Sequence, residues 1–193
     1  MRVGSIFSEA GERKKNRYQW RRLTALLLLL LAGCAVVGPE DYVKPAPVLV
    51  PEQFFSGRLQ ANGIFDDRLG NTRDVFAMAL EGHWDGTTLT LDELFTYDGG
   101  RSGRRLWTIV KRDDRTYVGT AADVEGEAIG ELEGNAFHWR FTAPLRIGDP
   151  DTVARIDQWM LFQDSGVMMT RSAVSRFGIE IGEVTLFFFH PAQ

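Results

Sequence analysis

The sequence predicts an all-β domain, an antiparallel meander closing into a barrel of about eight to ten strands. Three observations carry this. Beyond Phe54 apolar residues recur every second position; short turn-forming clusters separate the runs; and some runs carry large side chains on both faces.

The N-terminal element comes first and is not part of that barrel. Arg21-Arg22 lead into an apolar run from Leu23 to Leu31, followed by Ala32-Gly33-Cys34. A basic start, a short apolar stretch and a small-residue cleavage site form a secretory signal. The run is far short of the roughly 20 residues a spanning helix needs. Leu31-Ala32-Gly33-Cys34 resembles the lipobox of bacterial lipoproteins, in which the cysteine thiolate accepts the lipid. Cys34 is therefore the expected lipidation site, with residues 1–33 as signal peptide. Because Ala35 rather than Asp follows the cysteine, the sorting rule of enteric bacteria implies the outer membrane, with the domain facing the periplasm.

Residues 34–53 read as the lipidated cysteine and a linker. Pro39, Pro45, Pro47 and Pro51 oppose helix and central strand and favour extended chain.

Residues 54–193 are assigned to the barrel. Leu89, Leu91, Glu93, Phe95 and Tyr97 share one face, opposite Thr88, Thr90, Asp92 and Thr96. Phe137, Trp139 and Phe141 oppose His138, Arg140 and Thr142; Ile156, Gln158, Met160 and Phe162 oppose Arg155, Asp157, Trp159 and Leu161. Val184, Leu186 and Phe188 close the series. Asp85-Gly86, Asp98-Gly99-Gly100, Asp113-Asp114, Gly134-Asn135 and Asp164-Ser165-Gly166 supply the turns. Trp107 and Ile109 alternate with Leu106 and Val110, which suits a barrel with an apolar interior and a partly covered exterior better than a single sheet with one wet face. Short helical turns fit only at Pro51 to Phe55 or Ser172 to Phe177.

Composition narrows the function. Hydrophobic residues make up 44% and charged residues 25% of the chain, which are globular values. Seven basic residues and two acidic ones precede the apolar run, so removing that segment leaves 15 basic against 24 acidic, a net of −9. An acidic body lacks the basic footprint of a nucleic-acid binder, and anionic lipid would repel it. Membrane attachment then falls to the acyl chains on Cys34. With a single cysteine there is neither an intrachain disulfide nor a cysteine-based zinc site.

No G-x-S-x-G, H-E-x-x-H or P-loop motif occurs. His83, His138 and His190 lack metal-ligand spacing, and His138 falls on a polar strand face. No metal or cofactor is expected. Glu93 is the unusual residue, a carboxylate on an apolar face. Turned inward and unpaired it would have a raised pKa. Alternatively a bulge turns it outward, or Arg105 or Arg171 neutralises it. Tyr97, Trp84, Trp107, Trp139 and Trp159 either line a ligand cavity or fill the core. The ligand-contacting candidates are Glu93, Tyr97, Trp107, Trp139, Trp159 and Arg171.

GRLQANGIFDDRLGNTRDVF, TLDELFTYDGGRSGRRLW, GTAADVEGEAIGELEGNAFHW, DQWMLFQDSGVMMTRS and SRFGIEIGEVTLFF resemble a family of Gram-negative lipoproteins classed as a domain of unknown function. Gly82-His83-Trp84 is similar to the lipocalin G-x-W signature, although it lies on the second predicted strand. The resemblance implies a lipocalin-like barrel and no particular activity. A binding module for a fatty acyl chain or other apolar molecule in envelope lipid handling is the leading expectation. Next comes a structural or interaction protein with a self-filled barrel. A lipid-modifying enzyme using Glu93 or Asp157 comes last, since no convergent catalytic set is visible.

Overall fold

Period-two sequence becomes period-two burial. A computed structural model describes residues 39–146, 152–163 and 165–191. The expected signal peptide and the expected lipidation site, Cys34, lie outside them. Ten strands follow one another: β1 (Gly57–Asp67), β2 (Thr72–Trp84), β3 (Thr88–Tyr97), β4 (Ser102–Lys111), β5 (Thr116–Thr120), β6 (Ala128–Glu133), β7 (Ala136–Pro144), β8 (Val153–Phe162), β9 (Met168–Arg176) and β10 (Ile179–Phe189). Each pairs antiparallel with the next. β10 returns to β1, with Phe65 opposite Val184, and the barrel closes. Among the described residues closure leaves no unpaired strand edge to seek another chain. The all-β expectation holds at the upper end of its strand count.

Side chains of one parity point inward. On β2 these are Phe76, Met78 and Leu80; on β3 Leu89, Leu91, Glu93 and Tyr97; on β10 Val184, Leu186 and Phe188. Glycine makes room where an aromatic lies flat against the wall. A Cβ on Gly130 would run into the rings of Phe137 and Trp139.

One end of the barrel is plugged. Helix α1 (Pro51–Phe54) begins with proline at its first turn, where the missing N–H costs nothing. It lays Phe54 edge-on to Phe162 at 5.5 Å, and the following Phe55 edge-on to Phe188 at 5.9 Å. The Phe55 carbonyl oxygen sits so close to Gly82 on β2 that any Cβ there would collide with it. Glu52 locks the plug: its carboxylate accepts from Lys111 Nζ at 2.6 Å and from the Tyr117 hydroxyl at 2.7 Å.

Two sequence expectations need correction. The proposed linker does not run to residue 53. Leu49 is buried in the core, its N–H bonds Gly134 O at 2.9 Å, and Lys44 N–H bonds Asn135 Oδ1 at 2.7 Å. Prolines there exclude long helices but not docking of extended chain onto a turn. Nor does Ser172 to Phe177 form a helical turn. Ser172 and Val174 are buried on strand β9, and the reversal comes afterwards at Phe177-Gly178, both at positive φ (52° and 77°).

Candidate functional site

Between the plug residue Phe55 and Arg146, the barrel interior holds an apolar cavity of about 120 Å³. Phe76, Leu91, Trp107, Trp139, Met160 and Leu186 supply much of its wall. Glu93, Tyr97, Trp107 and Trp139, four of the sequence candidates, border it.

The other two do not. Trp159 points outward and stacks on His138, ring centroids 4.1 Å apart. Arg171 is an outer-face residue, its Nε bonded to Glu183 Oε2. Both belong to the outward parity of their strands, opposite inward Gln158 and Ser172. Arg171 is thus no partner for Glu93. Asp157, the other acid or base candidate, also faces out, with Oδ1 2.6 Å from His138 Nε2. Trp84 packs half-buried against the core at the plugged end rather than lining the cavity. Among the described residues no histidine, cysteine and carboxylate cluster could hold a metal.

Glu93 faces inward with no bulge. It is paired in register with Arg105 on β4 and accepts a hydrogen bond from Trp107 Nε1 at 3.2 Å. Burial is the main influence on its carboxyl and pushes its pKa up to about 7, against the smaller opposing pull of Arg105. Arg105 turns instead to Asp123, donating from Nε at 3.0 Å and Nη2 at 3.1 Å. Its guanidinium also lies over the rings of Trp107 and Phe141, each at 5.5 Å.

Asp123 joins a second arginine. Arg146, just beyond β7 and at positive φ (61°), donates from Nη2 at 2.7 Å. Burial alone would raise the Asp123 carboxyl, but the bonds from Arg105 and Arg146 outweigh it and hold the pKa below the usual carboxylate value. Nearby, Arg101 Nη2 pairs with buried Asp74, and its guanidinium lies 4.9 Å over the Tyr97 ring. Burial also raises the Tyr97 hydroxyl. The cavity thus has an apolar body, an ionic rim and one carboxylic acid poised near neutrality.

Sequence reasoning could not find Asp123 and Arg146. Both stand in connections, where no period marks inward positions.

A closed antiparallel meander with a helical plug at one end and an apolar interior defines a lipocalin-like barrel. An S-type phycobiliprotein lyase, CPES from Guillardia theta, is similar in fold: TM-score 0.55 at 8% identity, covering 74% of this chain and 91% of that one. No curated protein sequence matches. The chain belongs to the family described as protein of unknown function (DUF3833), whose model matches residues 28–190.

Proposed function

We propose that this protein is an envelope lipoprotein, acylated at Cys34 and facing the periplasm from the outer membrane, whose barrel binds a fatty acyl chain or similar apolar molecule in envelope lipid handling. The interior cavity carries the reading. Its lining is aromatic and aliphatic, with a few polar groups at fixed positions, as in small-molecule sites generally.

Its size sets a condition. At about 120 Å³ it is somewhat smaller than the ~150 Å³ apolar cavity known to take benzene, and below the ~300 Å³ of ordinary ligand pockets. An acyl chain therefore enters by displacing wall side chains. Met78 and Met160, unbranched and adaptable, both line the cavity. The same small volume favours the second reading, a barrel filled by its own side chains that holds no ligand.

Solvent extraction and mass spectrometry of the full-length chain purified from membranes separate the two. Extraction leaves covalent acyl groups on the protein and releases non-covalent ones. Wild type should release an apolar molecule that Val184→Phe, which puts a ring into the cavity, does not. Equal amounts from both, or none from wild type, would refute the carrier reading in favour of the filled barrel. The anchor is tested separately. Cys34→Ala should move the folded chain out of the acylated membrane fraction; retention with the membrane at wild-type level would refute attachment through Cys34.

A further inference from the structure

Three polar side chains on adjoining strands face the barrel interior. Ser172 is 2% exposed, Thr170 3% and Gln158 8%. The β8–β9 register sets Ser172 directly opposite Gln158, and both border the cavity; Thr170 lies one inward position along the same wall. Among the described residues, Ser172 Oγ and Thr170 Oγ1 are buried and have no hydrogen-bond partner.

Two such hydroxyls ask for a reason. Leaving a buried polar group unpaired costs about 1–3 kcal/mol, which Ala or Val of similar shape would avoid. Val174 and Leu186, on the same wall, show that apolar residues suit it. The ionic rim does not serve these hydroxyls, since Arg105 and Arg146 are engaged with Asp123 and Glu93 with Trp107. A hydroxyl donates and accepts, and so does the Gln158 amide. The group that complements them is a neutral oxygen. Hydrocarbon would leave them unpaired, and a carboxylate would find no cation among the three.

We propose that Ser172, with Gln158 and Thr170, forms a recognition point inside the barrel for a neutral oxygen substituent on the ligand's apolar body. The ligand class is then an oxygenated acyl chain, carrying a hydroxyl or keto group, rather than a plain saturated one. This rests on the carrier reading above. It selects among apolar ligands, because desolvating the ligand's oxygen is compensated only where the wall supplies partners.

The test uses the full-length chain, octanoate, and hydroxyoctanoates with the hydroxyl near the carboxylate, at mid-chain or at the methyl end. Calorimetry reads affinity. At least one isomer should bind roughly ten-fold more tightly than octanoate, the yield of one well-made hydrogen bond that satisfies a buried group. Ser172→Ala, and separately Thr170→Val with Gln158→Leu, should reduce that preference, read as the ratio of the best isomer's affinity to that of octanoate on the same variant. The melting temperature of unliganded Ser172→Ala should stay level or rise, because the lost hydroxyl had no partner to lose. If every isomer binds wild type as octanoate does, or the preference survives all the substitutions, recognition of an oxygen is refuted while the carrier reading stands. If Ser172→Ala melts well below wild type, the hydroxyl is satisfied without ligand and the proposal fails. If neither octanoate nor any isomer binds, the carrier reading fails and takes this proposal with it.

Discussion

Replacing Glu93 by glutamine should change how stability varies with pH, in a direction fixed by its burial. The carboxyl titrates near 4.5 when solvated and at about 7 in the folded protein. Between those values the folded state binds more protons than the unfolded state, so stability falls as pH rises. The loss begins near the lower value and is complete above the higher. At 1.36 kcal/mol per unit, the ionised carboxylate costs the fold about 3 kcal/mol at alkaline pH. A glutamine amide keeps an oxygen for the Trp107 indole and never ionises. Glu93→Gln should therefore match wild type near pH 5, give or take about 1 kcal/mol, and exceed it by about 3 kcal/mol near pH 8. Denaturant unfolding of the two full-length proteins across that range measures the difference directly. It also cancels the opposing contributions of Asp123 and other carboxylates with lowered pKa, which are common to both. A difference that does not change with pH would mean that Glu93 titrates as a solvated acid, and the apolar description of the cavity would be wrong.

Two further substitutions test the ends of the barrel. Gly82→Ala puts a Cβ against the Phe55 carbonyl, where backbone cannot step aside, and should cost at least about 1–3 kcal/mol in unfolding experiments; a neutral result would mean that the plug does not sit against β2. Asp123→Ala strands Arg105, only 9% exposed, beside a second arginine, and should cost about 3–5 kcal/mol by denaturant unfolding, whereas a cost below about 1 kcal/mol would show that the pair is hydrated in solution.

Parity made most of the fold legible. Alternation on β3, β7, β8 and β10 separates inner from outer faces without any structure; it puts Glu93 and Trp139 on apolar faces, while leaving open whether a bulge turns Glu93 outward. Trp159 shows where residue type misleads: its aromatic ring suggests the cavity, but it alternates with Gln158 and Met160, which face in. Arg171 is different. Along Thr170-Arg171-Ser172-Ala173 the inward residues are small and polar, so no apolar stripe marks the inner face. The plug was legible only as a short turn at Pro51 to Phe55, because a four-residue helix shows no period. Its backbone contact with Gly82 joins segments far apart in sequence. The state of Glu93 was beyond reach for a related reason. It depends on whether Arg105 pairs with Glu93 or with Asp123, and Asp123 stands in a connection that alternation does not describe.

The two ends of the barrel are held by different physics, and that sets which one opens at lower cost. The plugged end is closed by Phe54 and Phe55, each buried, and by backbone in contact at Gly82. Exposing two phenylalanines costs about 1.5–3 kcal/mol apiece, before the Glu52 bonds to Lys111 and Tyr117 are broken. At the other end Arg146 borders the cavity and is bonded to Asp123, and its side chain is already 31% exposed. Water can replace much of that bond, so swinging Arg146 outward costs nearer the ~1 kcal/mol of a surface ion pair. Arg105 stays behind with Asp123, so no buried charge is left unpaired when Arg146 moves. On the carrier reading, the ionic rim is then the entrance of lower cost for an apolar ligand, and the plugged end the costlier one.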